Sequence, residues 1–273
     1  MTKSKTSWTC LALTLALAAC GGGGDSSIPT PPVPKPNASL NENNLLQAAA
    51  VAYVGNAHNW ADYAVLYDDL FASYAVQTSD GSYACARGGT VNLKRQGLRW
   101  SYTVNNCLTA RLQVASGSFE VDASEQPTTG QVTVRFDKLQ LIKVWANAPE
   151  LFFSGSYQHD LGAGGEPSQH IPKATLDVLS PASLRQYTAI SRTTGASRYR
   201  VQSTAFPVVM NVVIGAGYGD VFVASADDGS TITVSSVATG KQIELRSSPQ
   251  ASPLAVKLFT DNEFRAAVQR VVP

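Results

Sequence analysis

Apolar and polar residues alternate with a period of two through most of the chain between residues 90 and 250. In a β-strand successive side chains point to opposite faces, so this alternation predicts strands with one apolar face and one wet face. Strands of this kind are typical of antiparallel sheets. The apolar residues that define the predicted strands are Leu98, Trp100, Tyr102, Val104, Phe119, Val121, Val132, Val134, Phe136, Tyr199, Val201, Ile232, Val234, Ile243 and Leu245.

Short turn signals separate the alternating segments. Asp228-Gly229 is the strongest of them, because Asp-Gly between two alternating runs favours a tight hairpin. Many short strands without a helical run between them predict a mainly β fold with one large, curled antiparallel sheet, open or half-barrel in form. A β-sandwich is the alternative. The other turn signals are Gln96-Gly97, Thr129-Gly130, Thr194-Gly195 and Thr239-Gly240.

A helical region precedes the predicted sheet. Apolar residues, several of them aromatic, recur at gaps of three and four from Leu46 to Tyr74, which is the period of an amphipathic helix. Ser39 and Glu42 have the spacing of a capping box at its start. Gly55 and Asn59 are poor interior residues, so one helix and two successive helices are both open. We interpret the stripe as a core helix packed on the sheet; a ligand-stacking face is the alternative.

Three later segments depart from the strand pattern. Residues 161–172 are rich in Gly and Pro and predict a long exposed loop. Phe206–Ile214 is apolar on both faces, and we interpret it as a strand buried on both sides. Thr260 and Glu263 form a second capping box and predict a short C-terminal helix with Phe264 on its apolar side.

The first twenty residues have the composition of an export signal. Lys3 and Lys5 precede a short apolar run, and small residues follow it. The run is shorter than the roughly 20 residues that a membrane-spanning helix needs. It ends in Leu17-Ala18-Ala19-Cys20, which resembles the lipobox of bacterial lipoproteins. The resemblance implies cleavage before Cys20 and acylation of its thiol and new amino group.

Cleavage there divides the chain into three parts. Residues 1–19 form the predicted signal peptide. Residues 20–38 hold the lipidated cysteine and a Gly-rich, then Pro-rich tether, which we expect to be disordered because this composition cannot form a core. Residues 39–273 form a single predicted β-rich domain. In bacterial lipoproteins an Asp after the lipidated cysteine retains the protein in the inner membrane; the Gly at position 21 therefore implies the outer membrane.

The net charge of the chain argues against some classes of partner. Loss of Lys3 and Lys5 leaves 19 of the 21 basic residues against 20 acidic ones. A nucleic-acid partner requires a basic surface, so a balance near zero argues against one. The chain also lacks a polybasic patch for anionic lipids. The predicted membrane attachment therefore depends on the acyl chains at Cys20.

The remaining cysteines predict a disulfide. Cys10 leaves with the signal peptide and Cys20 carries lipid, so Cys85 and Cys107 are left as a pair in an exported chain. They flank a predicted hairpin, and a disulfide closing a loop of this length stabilises a protein by about 3 kcal/mol. A zinc site is the rival, but the histidines lack ligand-like spacing to the two cysteines.

No motif for catalysis or cofactor binding stands out. Ser154-Gly155-Ser156 lies in a predicted strand, without the strand-turn-helix context of a nucleophile elbow. Gly215–Gly219 lacks the spacing and the following helix of a dinucleotide loop. His159 and Asp160 are an adjacent acid–base pair, but neighbours on a strand point to opposite faces. The sequence therefore predicts no catalytic, metal-binding or cofactor-binding residues.

Three functions remain open. The leading hypothesis is a non-catalytic envelope lipoprotein that binds a partner or ligand, or acts as a scaffold, at the outer membrane. The outline of helices against a half-barrel sheet resembles the small periplasmic carriers of lipids and lipoproteins, which implies a carrier of an apolar ligand as one alternative. A hydrolase of envelope polymers, using His159 or His170, is the other.

We expect Cys20→Ser to abolish membrane attachment, because the predicted acyl chains are the only anchor that the sequence indicates. The variant should move from the membrane pellet to the soluble fraction on cell fractionation. A variant that still pellets with membranes and resists a salt wash would show that the anchor is elsewhere.

Overall fold

The computed structural model describes residues 28–33, 38–64, 79–108, 113–123, 130–143, 150–161, 170–171, 173–191, 196–215 and 221–271. These ranges contain two helices and fifteen strands. In chain order the elements are α1 (Leu45–Ala64), β1 (Gly81–Ala84), β2 (Thr90–Gln96), β3 (Arg99–Leu108), β4 (Gln113–Ala123), β5 (Gly130–Lys143), β6 (Leu151–Leu161), β7 (His170–Ile171), β8 (Lys173–Ser180), β9 (Ser183–Ser191), β10 (Ser197–Ser203), β11 (Phe206–Ile214), β12 (Val221–Ala226), β13 (Thr231–Val237), β14 (Gly240–Arg246), β15 (Ala255–Phe259) and α2 (Asp261–Val271).

The strands form one antiparallel meander. Each strand pairs with the next along the chain, except that β6 pairs with β8 and the two-residue β7 pairs with β9. The sheet is open, with β1 at one end of the strand order and β15 at the other. The predicted fold class is confirmed: the protein is mainly β, with a curled open sheet and flanking helices. The β-sandwich alternative is wrong, because the strands of the main path share a single sheet.

One irregularity in each of four neighbouring strands interrupts the regular pairing of β3–β6. Asn106, Gly117, Lys138 and Gly155 all have positive φ, and the register shifts beside the first three of them. An extra residue on one strand of a pair bends that strand and increases its twist. We therefore attribute much of the curl of this half of the sheet to these bulges.

The inner face of the sheet is an apolar surface whose residues lie opposite one another from strand to strand. Aromatic rings occupy several positions: Tyr102 stacks on Phe119 with ring centroids 4.5 Å apart, and Tyr187 contacts Tyr199 at 5.0 Å. We call one such line of paired residues the inner row. Its members are Leu93, Tyr102, Phe119, Phe136, Gly155, Leu176, Tyr187, Tyr199, Val212, Ala224, Ile232 and Leu245.

Helix α1 packs against the strands β9–β11 and β13–β14 and against α2. Leu45, Ala48, Ala49 and Ala52 are buried in this contact region. The hydroxyl of Tyr199 in the inner row donates a hydrogen bond to the carbonyl of Ala52. The helix is thus fixed to the sheet by polar as well as apolar contacts.

The predicted start of α1 is wrong by several residues. Ser39 and Glu42 do not form the capping box; instead the carbonyl of Asn44 accepts the first helical bond from the amide of Ala48, at 2.9 Å. The carbonyl of Ser39 accepts a bond from the Asn44 amide side chain, at 2.9 Å. The Asn44 Oδ1 accepts the Asn41 amide at 2.9 Å, so this side chain holds the preceding turn through local backbone bonds rather than capping the first amides of the helix.

The question of one helix or two is settled for residues 45–64, where α1 is continuous through Gly55 and Asn59. Side chains of α1 are described as far as Val54. The later part of the predicted stripe, including Trp60, Tyr67 and Tyr74, therefore lies outside the described side chains.

The predicted capping box of α2 is confirmed. The Glu263 carboxylate accepts the backbone amide of Thr260 at 2.8 Å, and the Thr260 hydroxyl accepts the amide of Glu263 at 3.2 Å. Phe264 is buried and meets the ring of Tyr53 edge-on, with centroids 5.3 Å apart. The cap and the aromatic contact together hold α2 against α1.

Three sequence predictions need correction. The loop predicted for residues 161–172 is wrong at both ends, since Leu161 belongs to β6 and Ile171 is fully buried in β7. Leu98 lies in the turn before β3 and is exposed. β11 is buried on its inner face, but Val213 on the other face is 43% exposed. Apolar composition alone therefore overstated its burial.

We expect Gly155→Ala to destabilise the protein more than Gly97→Ala. Both glycines have positive φ, which costs a residue with a Cβ about 1–2 kcal/mol. A Cβ at Gly155 would lie 1.9 Å from the carbonyl oxygen of Thr175, whereas nothing lies within 4 Å at Gly97. Urea denaturation gives the loss in unfolding free energy for each variant. The difference between the two losses is the cost of the clash, since both variants share the cost of positive φ. Equal losses would show that β8 moves freely away from β6.

Candidate functional site

The cysteine pair predicted from the sequence lies at disulfide distance. The sulfur atoms of Cys85 and Cys107 are joined, and their Cα atoms lie 5.5 Å apart. Cys85 follows β1 and Cys107 lies in β3, so the link ties the first strands of the sheet together. Cys20 lies outside the described residues.

The outer face of the sheet, opposite α1, carries two adjoining hollows. One has a volume of about 410 Å³ over β5, β6, β8 and β9, and the other about 600 Å³ over β8–β11. Ala174, Thr175 and Thr188 line both hollows, so they form one surface that we call the outer groove. Its lining residues come from five neighbouring strands, β5, β6 and β8–β10, and from β11 at its end.

Side chains with hydroxyl and amide groups dominate the outer groove. They alternate along their strands with the buried apolar residues of the inner face, which is why they reach this side. Some already bond one another: the hydroxyls of Ser156 and Thr175 are 3.0 Å apart, and the Gln186 amide donates to Asp177 at 3.3 Å. The polar residues lining the groove are Thr133, Ser156, Gln158, Lys173, Thr175, Asp177, Gln186, Thr188, Arg198, Arg200 and Asn211.

The charged side chains that line the outer groove give it a small excess of positive charge. Arg200 donates two hydrogen bonds to Asp227, at 2.9 and 2.7 Å. The hydrogen bonds from Arg200 hold the pKa of the Asp227 carboxyl below its ordinary value of 3.8, although burial opposes this shift. Lys173 and Arg198 add two exposed positive charges. The groove therefore contains both hydrogen-bond donors and acceptors, and its small positive excess favours anions.

Among the described residues, Arg185 is the one charged side chain that is buried on the inner face. Arg185 on β9 is only 5% exposed, and it lies between Val178 of β8 and Val201 of β10. In the part of the chain that the structure describes, its buried Nε donates no hydrogen bond. A buried charge of this kind is costly unless it is paired.

The aromatic neighbours of Arg185 are also polar groups in an apolar setting. Burial raises the pKa of the Tyr199 phenol well above its ordinary value; nearby Tyr187 raises this pKa further and Arg185 lowers it. Tyr199 nevertheless stays protonated and donates to Ala52.

Nothing in the described part of the structure brings together the residues that were candidates for a hydrolase. His159 and Asp160 are successive residues of β6, opposite Val132 and Gln131 of β5. His170 lies in β7 and pairs with β9. The side chains of both histidines lie outside those that the structure describes.

Other classes of site were sought within the same ranges. No group of three or more His, Cys, Asp or Glu side chains converges there to hold a metal ion. Neither described helix has both the length and the apolar character needed to cross a membrane.

Comparisons with protein-family models, curated proteins and solved structures found no match for this chain. The candidate sites consequently depend on the geometry of the chain itself.

Sequence reasoning missed both the outer groove and Arg185. The alternation of Arg185 and Tyr187 with Gln186 and Thr188 was present in the sequence. It indicated a strand with two faces, but an Arg is ordinarily assigned to the wet face. The signal that places Arg185 inside is that it has the same parity as the buried Tyr187.

We expect Asp227→Asn to lower the free energy of unfolding at neutral pH by less than about 1 kcal/mol, because the pair with Arg200 is exposed and screened by solvent. The folded-state pKa of Asp227 is lowered. The stabilisation is therefore fully present above the ordinary pKa of 3.8 and is lost as the pH falls through the lower, folded value. A double-mutant cycle with Arg200→Met, measured at pH 7 and below pH 3, checks this. A coupling free energy that persists in acid would contradict it.

Proposed function

We propose that this protein is a lipid-anchored, non-catalytic protein of the bacterial outer membrane whose β-rich domain binds a partner or ligand. The observation that carries the proposal is the outer groove, an open polar surface of side chains that donate and accept hydrogen bonds. Attachment through acylated Cys20 and the tether of residues 20–38 would hold this surface near the membrane.

The chemistry of the outer groove suits a polar occupant. Hydroxyl and amide groups match the hydroxyls of a glycan or the backbone of a protein segment equally well, and Lys173 and Arg198 favour a partner with some negative charge. Exposed side chains of this type give specificity by complementary hydrogen bonds and charge. We therefore propose an acidic or hydroxyl-rich envelope component as the partner.

We expect a photo-crosslinking amino acid at Thr188 or Gln158, introduced into the full chain in cells, to trap this partner because both positions face the groove. The same amino acid at Lys94, an exposed position on β2 outside the groove, is the control. Mass spectrometry identifies the product. Equal products at all three positions, or none at the groove positions, would contradict the proposal.

A second variant tests the contribution of charge. Arg198→Glu should reduce the crosslink yield at Thr188 severalfold, whereas Arg265→Glu, an exposed change on α2, should leave it unchanged. An unchanged yield in Arg198→Glu would show that the trapped molecule does not contact the basic side of the groove.

A carrier of an apolar ligand stays a prediction from the sequence. The inner face of the sheet is apolar, but its described residues are buried within the protein from β2 to β14.

A further inference from the structure

The outer face of β15 exposes apolar side chains to solvent. Lys257 is paired with Ile243, which is buried on the inner face, so Val256 and Leu258 on either side of the lysine point to the outer face. Their exposed fractions are 52% and 64%, and Leu254, just before the strand, is 64% exposed. We call Leu254, Val256 and Leu258 the edge stripe.

The neighbouring strand β14 is polar on the same face, and its charges are already paired. The register places Glu244 opposite Val256 and Gln242 opposite Leu258. The Glu244 carboxylate accepts hydrogen bonds from the Gln242 amide at 2.9 Å and from Arg246 at 2.7 Å. Because this carboxylate is neutralised within the sheet, it sets no unpaired negative charge beside the edge stripe.

The chain enters the domain beside the same strand. The Lys257 ammonium group donates to the Glu42 carbonyl at 2.8 Å, and Leu40 is buried in the core. The predicted tether, residues 20–38, leads from here to the predicted lipidated cysteine. At about 3.1–3.6 Å per residue it keeps the acyl chains within roughly 60 Å of this part of the domain.

A tether of this length changes what a small apolar surface can do. Linking two binding elements makes the second contact intramolecular, with an effective concentration of about millimolar for a short flexible linker. A surface that would bind lipid too weakly by itself can therefore stay bound once the acyl chains hold the domain. Each apolar side chain that leaves water contributes in proportion to its buried area.

A lipid surface suits the edge stripe better than a further β-strand does. Lys257 places a charge on this edge strand, which opposes pairing with another strand. Val256 and Leu258 project from the face of the sheet at its margin, so they can enter the boundary between head groups and acyl chains without any change in the fold.

We propose that the edge stripe inserts into the surface of the membrane that carries the lipid anchor, so that the domain lies against lipid at the β15 end of its sheet. The inference rests on the lipid anchor of the proposed function and adds a second contact, made by the folded domain. The outer groove ends at β11, four strands from β15 or about 19 Å along the sheet. A partner can therefore occupy the groove while the stripe is in lipid.

The mature lipidated chain in vesicles of phosphatidylethanolamine with a quarter of phosphatidylglycerol tests the proposal. An NBD fluorophore is attached to Leu258→Cys or, as the control, to Lys94→Cys, an exposed position on β2. Cys85 and Cys107 are joined, and the wild-type chain treated in the same way supplies the background. Doxyl-labelled lipid should quench the fluorophore at Leu258→Cys severalfold more strongly than at Lys94→Cys.

A matched pair of substitutions tests the apolar contact. In the Leu258→Cys chain, Val256→Asn should lower the quenching severalfold, because it removes apolar area from the edge stripe. Val221→Asn makes the same change on β12, at a valine that is also 52% exposed, and should leave the quenching unchanged. Since both valines are exposed, we expect the two variants to melt at the temperature of the wild type.

The outcomes separate the inference from the anchor on which it rests. Equal quenching at Leu258→Cys and Lys94→Cys, in a chain that floats with the vesicles, would overturn the inference and leave the anchor standing. A chain that does not float would contradict the anchor and the inference together. Emission at Leu258→Cys that rises with protein concentration at fixed lipid, without quenching by doxyl lipid, would assign the stripe to a second copy of the chain and overturn the lipid contact.

Discussion

The structure depends on one constraint: an open sheet must bury a single continuous face. Period-two alternation gives each strand such a face, and the register aligns these faces into the inner row. Because a shift by one residue would turn every apolar side chain outward, the register is strongly specified. The packing of α1, the buried Tyr199 and the polar outer groove all follow from that alignment.

Bulges and positive-φ residues in β3–β6 let the sheet curve while its apolar side chains stay on one face. At Gly155 the inner row has no side chain, and the ring of Phe136 contacts the two neighbouring rings on β6, Phe153 and Tyr157, at 6.0 and 5.7 Å. An aromatic ring on the adjacent strand commonly compensates a strand glycine in this way. The ring of Phe136 thus borders the position where Gly155 leaves the inner row without a side chain.

The sequence was sufficient for features set by local pattern. Alternation predicted the strands, the Asp228-Gly229 turn and the sheet class, and the pairing of Cys85 with Cys107 followed from counting cysteines. It failed where long-range contacts decide. The buried position of Arg185 depends on strands β8 and β10, and Ile171 joins the sheet only because β9 extends far enough to pair with it.

The strands β8–β11 carry the outer groove on one face and buried core residues on the other. On β9, Arg185 and Tyr187 point inward, whereas Gln186 and Thr188 line the outer groove. These residues are direct neighbours in the chain, and a strand is a stiff connection. A partner bound in the outer groove would therefore contact the same short piece of backbone that holds the buried side chains of the core.

Among the described strands, β1 and β15 pair on one side only. On β15 the exposed Val256 and Leu258 flank Lys257, whose ammonium group donates to the carbonyl of Glu42 at 2.8 Å. A further strand added at this edge would have to accommodate that charge, which is a known protection against edge-to-edge association. Through its bond to the Glu42 carbonyl, this lysine also ties the segment before α1 to the edge of the sheet, so one side chain both protects the edge and holds the start of the domain.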